Sequence, residues 1–138
     1  MEIKVFEGLP DEAKNIRETV FVKEQGFTDE YDEKDATAIH FVMFDEGRAI
    51  ATCRIFEKEE KGVYMFGRMA VLKEFRGRDL GSKMMDAVKK YVSENGGKGI
   101  ILHAQLHAKG FYEKNGFAAY GEIEPEQGCP HIWMKKDI

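Results

Sequence analysis

The chain has 138 residues, 43% of them apolar and 33% charged, with aromatic side chains spread from Phe6 to Trp133. That length makes one domain over residues 1–138 the expectation, with roughly two-thirds of the unfolded surface buried around a single core, and the composition excludes a disordered tail. A formal net charge of −4, from 21 basic and 25 acidic residues, argues against nucleic acid as a partner.

The opening segment MEIKVFEGLPDEAK has neither a basic n-region nor an apolar h-region, and no apolar run approaches the roughly 18 residues of a membrane span. A cytoplasmic protein with no membrane partner is therefore expected. Apolar and polar residues alternate in EIKVF, a first strand, which Gly8, Leu9, Pro10 and Asp11 interrupt before a helix beginning near Asp11. Ala13, Ile16, Val20 and Phe21 recur at helical spacing within it. After Gly26 a loop runs to Asp35. From Glu24 to Asp35 six carboxylates (Glu24, Asp29, Glu30, Asp32, Glu33, Asp35) are set against Lys34, a local balance of −5, which hints at a cationic acceptor.

AIHFVMF, Asp45-Glu46-Gly47 and RAIATCRIF predict a β-hairpin, and VYMFGRMAVL a further antiparallel strand. Cys53 in that hairpin and Cys129 near the end lack CxxC spacing, which excludes a disulfide framework and cysteine-ligated zinc. Leu80, Met84, Val88, Tyr91 and Val92 form one apolar stripe on a helix that Asn95-Gly96-Gly97 ends. GIILHAQL predicts a buried strand and AKGFYEKN a short helix stopping at Gly116. FAAYGEI and HIWMKKD are two last strands, separated by a loop over EPEQGCP. The predicted order is β-α-βββ-α-β-α-ββ.

The segment RMAVLKEFRGRDLGSKMM passes from a strand through Arg76-Gly77-Arg78 and Gly81-Ser82 into the striped helix, so it offers free backbone N–H groups at a helix N-terminus. Glycine lets a phosphate approach the backbone, and Arg76, Arg78 and Lys83 add charge where the helix dipole is already favourable. A diphosphate is the natural ligand; a tight turn with solvated arginines is the plain alternative. A P-loop is excluded, because Gly77 and Gly81 enclose three residues and the order that follows is Gly-Ser-Lys. A dinucleotide fingerprint is excluded by the missing βαβ unit with GxGxxG. Asp79 tolerates left-handed dihedrals and suits the cap of a helix starting at Leu80.

Arg76 to Gly81, the segment AxxFYEKxGF from Ala108 to Phe117, and the order of elements together resemble the GCN5-related N-acetyltransferases, the GNAT family, whose signature is Gln/Arg-x-x-Gly-x-Gly/Ala after the fourth strand. VFVKEQG near the start, His40, LHAQ and the closing Pro-His-x-x-Met resemble its ElaA/YjcF-like members. Asp79 stands where the signature has glycine, and Cys129 where those members usually have an aliphatic residue before Pro-His.

The resemblance implies an α+β (α/β mixed) fold: a central, mostly antiparallel mixed sheet of six to seven strands flanked by helices. It further implies direct transfer of an acetyl group from acetyl-CoA, a co-substrate, to a primary amine of a small molecule or peptide, with no metal. Met69, Ala70 and Val71 would hold the pantetheine, with Gln105 and Ala108 beside them. Arg76, Gly77, Arg78, Asp79, Leu80, Gly81 and Ser82 would hold the diphosphate. Tyr112 would protonate the leaving thiolate, since a phenol of pKa about 10 keeps its proton at neutral pH; its other reading is an aromatic that packs the last helix.

For the general base the candidates are Glu24, His40, His103 and His131. Arg54 and Arg68 are either partners for an acceptor anion or outward-facing charges on strands. Cys129 and His131 admit a thiol–base reading. His103 and His107 straddle a strand end, so a metal pair is set aside. The alternative function is a non-catalytic acyl-CoA-binding sensor of the same fold, and monomer and homodimer both stay open.

Overall fold

The computed structural model describes residues 1–27 and 30–138; Asp29 of the acidic segment lies outside the described residues. In chain order the elements are β1 (Glu2–Glu7), α1 (Asp11–Arg17), β2 (Ile39–Asp45), β3 (Arg48–Glu57), β4 (Val63–Val71), α2 (Leu80–Glu94), β5 (Gly99–Gln105), α3 (Lys109–Lys114), β6 (Ala118–Glu126) and β7 (Cys129–Asp137). The seven strands form one mixed sheet in the order β1-β2-β3-β4-β5-β7-β6. β4 and β5 are parallel, joined by the α2 crossover such a pair needs, whereas β1–β2, β2–β3, β5–β7 and β6–β7 are antiparallel. Among the described residues no helix is long and apolar enough to cross a membrane. The chain divides into two compact units, Met1–Phe56 with Arg68–Val88, and Glu57–Gly67 with Lys89–Ile138.

In the first unit Pro10 stands extended ahead of α1, whose first turn carries Asp11 and Glu12, the sign the helix dipole favours. The apolar spacing predicts one α-helix; the structure instead widens into a seven-residue π-helix over Glu18–Glu24. There the Gln25 N–H donates to the Val20 carbonyl, five residues back, at 3.1 Å. Val20 and Phe21 are both buried, as are Ala13, Ile16 and the charged Arg17. The apolar ones pack with Val42, Ala70 and Leu72 into one cluster. β2 and β3 meet at a two-residue turn, Glu46 (φ 49°) and Gly47 (φ 82°), both left-handed as a type I′ hairpin requires.

In the second unit Ile100, Leu102, Ala104, Ile132 and Met134 point to one side of β5 and β7 and are buried, as period-two alternation dictates. Gly97, just past α2, is a close-approach glycine: a Cβ there would run into the side chain and carbonyl of Val92. The expected EPEQGCP loop is corrected by the structure. β6 and β7 extend through it and turn at Gln127 (φ 52°) and Gly128 (φ 76°). Pro125 and Pro130 face each other in that ladder. Both are tolerated because β6 is the sheet edge and the pairing of β7 with β5 stops at His131, so neither missing N–H leaves a carbonyl of a neighbouring inner strand unpaired.

Candidate active site

β4 carries Met69, Ala70 and Val71, of which Ala70 is buried. One residue earlier Arg68 sits at φ 55°, a left-handed kink inside a strand. After β4 a 3₁₀ turn over Lys73–Phe75 leads to Arg76, Gly77 (φ 81°), Arg78 and Asp79 (φ 59°), and α2 begins at Leu80. The position at which the signature carries glycine is thus one that demands a left-handed backbone, and Asp is among the few other residues that accept it. Asp79 Oδ1 accepts a hydrogen bond from Ser82 Oγ at 2.8 Å. A Cβ added at Gly77 would meet nothing within 4 Å. The turn therefore has the open backbone and the long helix behind it that suit a phosphate.

Two residues named from sequence for different tasks meet here. Arg76 donates from Nη1 and Nη2 to both carboxylate oxygens of Glu24, at 2.6 and 2.9 Å, and from Nε to the Val71 carbonyl at 2.9 Å. Its hydrogen bonds hold the Glu24 carboxyl below the usual carboxylate range, which makes Glu24 a poorer base than its sequence position suggests. The Arg78 guanidinium lies over the Phe75 ring, 5.2 Å from its centre.

Among the described residues, three carboxylates of the acidic segment are taken up by arginines of the chain itself. Arg17, fully buried, donates from Nε to Glu30 at 2.7 Å and from Nη1 to Asp35 at 2.7 Å. Arg54 donates from Nη1 to Asp32 and Asp35 at 2.7 and 2.8 Å, and Arg68 from Nε to the Glu30 carbonyl at 3.1 Å. Three guanidiniums thus meet the three carboxylates of Glu30, Asp32 and Asp35, so these charges are matched in space. Burial works against ionisation of Asp35, but the hydrogen bonds from Arg17 and the Asp32 backbone outweigh it and hold its carboxyl well below the usual range. Burial pushes Glu30 up despite Arg17.

His40 belongs to this network: it has no exposed surface, and its Nε2 lies 3.0 Å from the Asp35 carbonyl. A carbonyl only accepts, so the proton sits on Nε2. Burial lowers the His40 pKa and keeps the ring neutral. Arg17 had no signal of its own in the sequence. It ends α1 four residues after Ala13, on the buried face, and becomes meaningful only once Glu30 and Asp35 are folded against it.

In the second unit Tyr112 lies on α3, 9% exposed, its ring edge-on to Phe66 (6.1 Å) and Phe117 (6.0 Å). Ala108 ends a 3₁₀ turn, and Gln105 closes β5. His131 is buried on β7, and its Nδ1 lies 2.9 Å from the carbonyl of Cys129, not bonded to the thiol. The thiol–base pairing thus gains no hydrogen bond. His131 lies beside His103, ring centres 4.9 Å apart, and His103 stacks on Trp133 at 4.5 Å. Glu124 and Glu126 of β6 reach this ring row. Reading EPEQGCP as a loop hides them; reading it as a strand puts both on the face of Tyr120. Among the described residues no group of three or more His, Cys, Asp or Glu is arranged to hold a metal ion.

Residues 9–138 match the family model described as acetyltransferase (GNAT) domain. The uncharacterized N-acetyltransferase YjcF of Bacillus subtilis is 36% identical over 129 residues, covering 91% of each chain. The crystal structure of Escherichia coli ElaA superposes with a TM-score of 0.88 at 26% identity, covering 99% of both chains. An aminoglycoside 6′-N-acetyltransferase solved with coenzyme A shares the fold, with a TM-score of 0.77 at 18% identity over 99% of this chain and 97% of that one. With a family model over nearly its whole length and a relative above 30% identity across it, this chain belongs to the GNAT acetyltransferase family.

Proposed function

We propose that the protein transfers an acetyl group from acetyl-CoA directly to a primary amine of a small molecule or peptide. The observation that carries this reading is the turn between β4 and α2, where left-handed Gly77 and Asp79 open the backbone at the start of a 15-residue helix. Arg76, Gly77, Arg78, Asp79, Leu80, Gly81 and Ser82 hold the diphosphate mainly through main-chain N–H groups, because the Arg76 side chain is committed to Glu24. The main chain of Met69, Ala70 and Val71, with Gln105 and Ala108, holds the pantetheine.

In the reaction the amine nitrogen attacks the thioester carbonyl, the N–C bond forms and the C–S bond breaks. The proton of the Tyr112 phenol goes to the departing thiolate sulfur, and the proton lost from nitrogen goes to a base. Of the base candidates, His131 and His103 both hold Nδ1 against an acceptor, the Cys129 carbonyl at 2.9 Å and Glu126 at 2.6 Å, so in either a neutral ring carries its lone pair on Nε2. His40 is enclosed in the ionic network and Glu24 is tied to Arg76.

Calorimetric titration with acetyl-CoA, followed by thiol release with pools of primary amines, tests the reading. Saturable binding with amine-dependent release is expected. Binding without release under every pool favours an acyl-CoA sensor, and no binding overturns both.

A further inference from the structure

We infer that Glu24 is a positioning residue for the acyl-donor site: acting through Arg76, it holds the turn between β4 and α2 in the shape that receives the diphosphate. The inference rests on the acetyltransferase reading and deepens it, by giving a task to a carboxylate that the transfer itself does not use.

Two anchors hold the Arg76 guanidinium. Nε donates to the carbonyl of Val71, the last residue of β4, at 2.9 Å, which folds the side chain back across the 3₁₀ turn of Lys73–Phe75. Nη1 and Nη2 donate to Glu24 Oε2 and Oε1 at 2.6 and 2.9 Å, the fork that a planar guanidinium makes with a carboxylate. A flat group gripped from both sides cannot turn, and the Arg76 main chain is held with it. That main chain is extended, φ −73° and ψ 158°, and its ψ aims the next N–H, that of Gly77, the first left-handed residue of the turn.

The start of the turn is fixed separately. The Leu72 N–H donates to the Ile50 carbonyl at 2.9 Å, and Leu72 shares one apolar cluster with Val20 and Phe21 of the π-helix, with Phe75 packed against it. Arg76 then ties the turn to the end of that helix immediately before the segment 77–81. Glu24 is the last of seven π-helical residues, a rare geometry that recurs at functional sites.

Charge alone argues for the opposite effect. A carboxylate beside a diphosphate site repels the ligand, so on charge alone Glu24 weakens acyl-CoA binding. Here the Arg76 charge is paired with it at 2.6 Å, which cancels most of that repulsion and leaves the brace as the larger effect. The brace strengthens binding by holding the N–H groups in place before the ligand arrives. Arg76 and Glu24 are 40% and 36% exposed, so losing the pair leaves the fold standing.

Calorimetric titration of the full-length protein with acetyl-CoA tests this. Glu24→Gln keeps one acceptor oxygen but loses the charge and the fork, and should weaken acetyl-CoA by about fivefold with an unfolding midpoint close to wild type. Arg76→Lys keeps the positive charge and loses the fork, and should weaken it as much; an arginine acting by charge alone would be replaced without loss. In an Arg76→Met background Glu24→Gln should have no further effect. With an amine that supports thiol release, Glu24→Gln should raise the KM for acetyl-CoA more than it lowers kcat. A fall in kcat at wild-type KM makes Glu24 the base instead and overturns the inference. So does unaltered or tighter binding by Glu24→Gln, or a loss that persists in the Arg76→Met background. If Glu24→Gln does not fold, wild-type affinity in Arg76→Lys overturns it. A wild-type protein that binds no acetyl-CoA removes the acetyltransferase reading and this inference with it. Wild-type binding beside an unaltered Glu24→Gln removes this inference alone.

Discussion

Two regions of the molecule concentrate charge, and they do so in opposite ways. Around Arg17 in the first unit Glu30, Asp32 and Asp35 each meet a guanidinium, with N–O distances of 2.7 and 2.8 Å, and Arg17, Glu30, Asp35 and Arg54 are nearly free of solvent. Around His103 in the second unit Glu124 and Glu126 meet imidazole rings and the Trp133 N–H, and stand half exposed. The first network pairs its charges out of solvent and fixes a long loop against a helix, although His40 Nδ1 and Arg54 Nε stay without a hydrogen-bond partner among the described residues. The second sets its carboxylates against rings at the solvent boundary, with His103 Nε2 the atom left without a hydrogen-bond partner among the described residues. The density of charge in a sequence does not distinguish the two; the balance of donors and acceptors in space does.

The largest expected effect tests the saturated side. Arg17→Met leaves Glu30 without its buried partner and Asp35 with Arg54 alone, and should lower unfolding free energy by about 3–5 kcal/mol, measured by urea denaturation. Glu126→Gln, on the half-exposed side, should stay within about 0.5 kcal/mol. Equal losses for both would erase the distinction.

Next come the reacting groups. Tyr112→Phe should lower kcat by about 100-fold or more, while calorimetry finds acetyl-CoA affinity within about twofold of wild type. Of His103→Asn and His131→Asn, the one that removes the base should depress kcat to a similar degree. A wild-type rate from Tyr112→Phe, or from both histidine variants, assigns that proton transfer elsewhere.

A smaller effect concerns pH. Burial lowers the pKa of His40 in the folded chain relative to the unfolded one. Between the two values the unfolded chain binds the extra proton, so stability rises with pH in that window. The contribution is complete above about 6.5 and is lost as pH falls below it, with a slope of at most about 1.4 kcal/mol per pH unit. Unfolding curves of His40→Asn and wild type across that range should differ in slope with this sign; parallel slopes would exclude His40 as the source.

The smallest effect is expected at Asp79. Its carboxylate accepts from Ser82, so Asp79→Gly should change acetyl-CoA affinity by less than about threefold. A much tighter complex would mean that the carboxylate faces the diphosphate and repels it.

Much of the fold was legible from periodicity. The stripe from Leu80 to Val92 and the alternation around Glu46-Gly47 correspond to α2 and the β2–β3 hairpin, because burying one face of a helix or strand imposes its period on the chain. Two misreadings are instructive. Pro125 and Pro130 argue for a loop until their place at an edge and beyond the last β5 pairing makes them harmless. The widening over Glu18–Glu24 leaves no periodic mark, since seven residues are too few for the π and α repeats to diverge.

By itself the sequence determined the order of elements, the left-handed turn ahead of α2, where only Gly, Asp or Asn sit easily, and membership of a family whose motifs are local in the chain. The tertiary structure decided which charges meet. Arg17 lies 13 and 18 residues from its partners Glu30 and Asp35, Arg76 lies 52 from Glu24, and His103 lies 23 from Glu126. Pairing over such separations depends on strand register and helix phase, and a charge count along the chain contains neither.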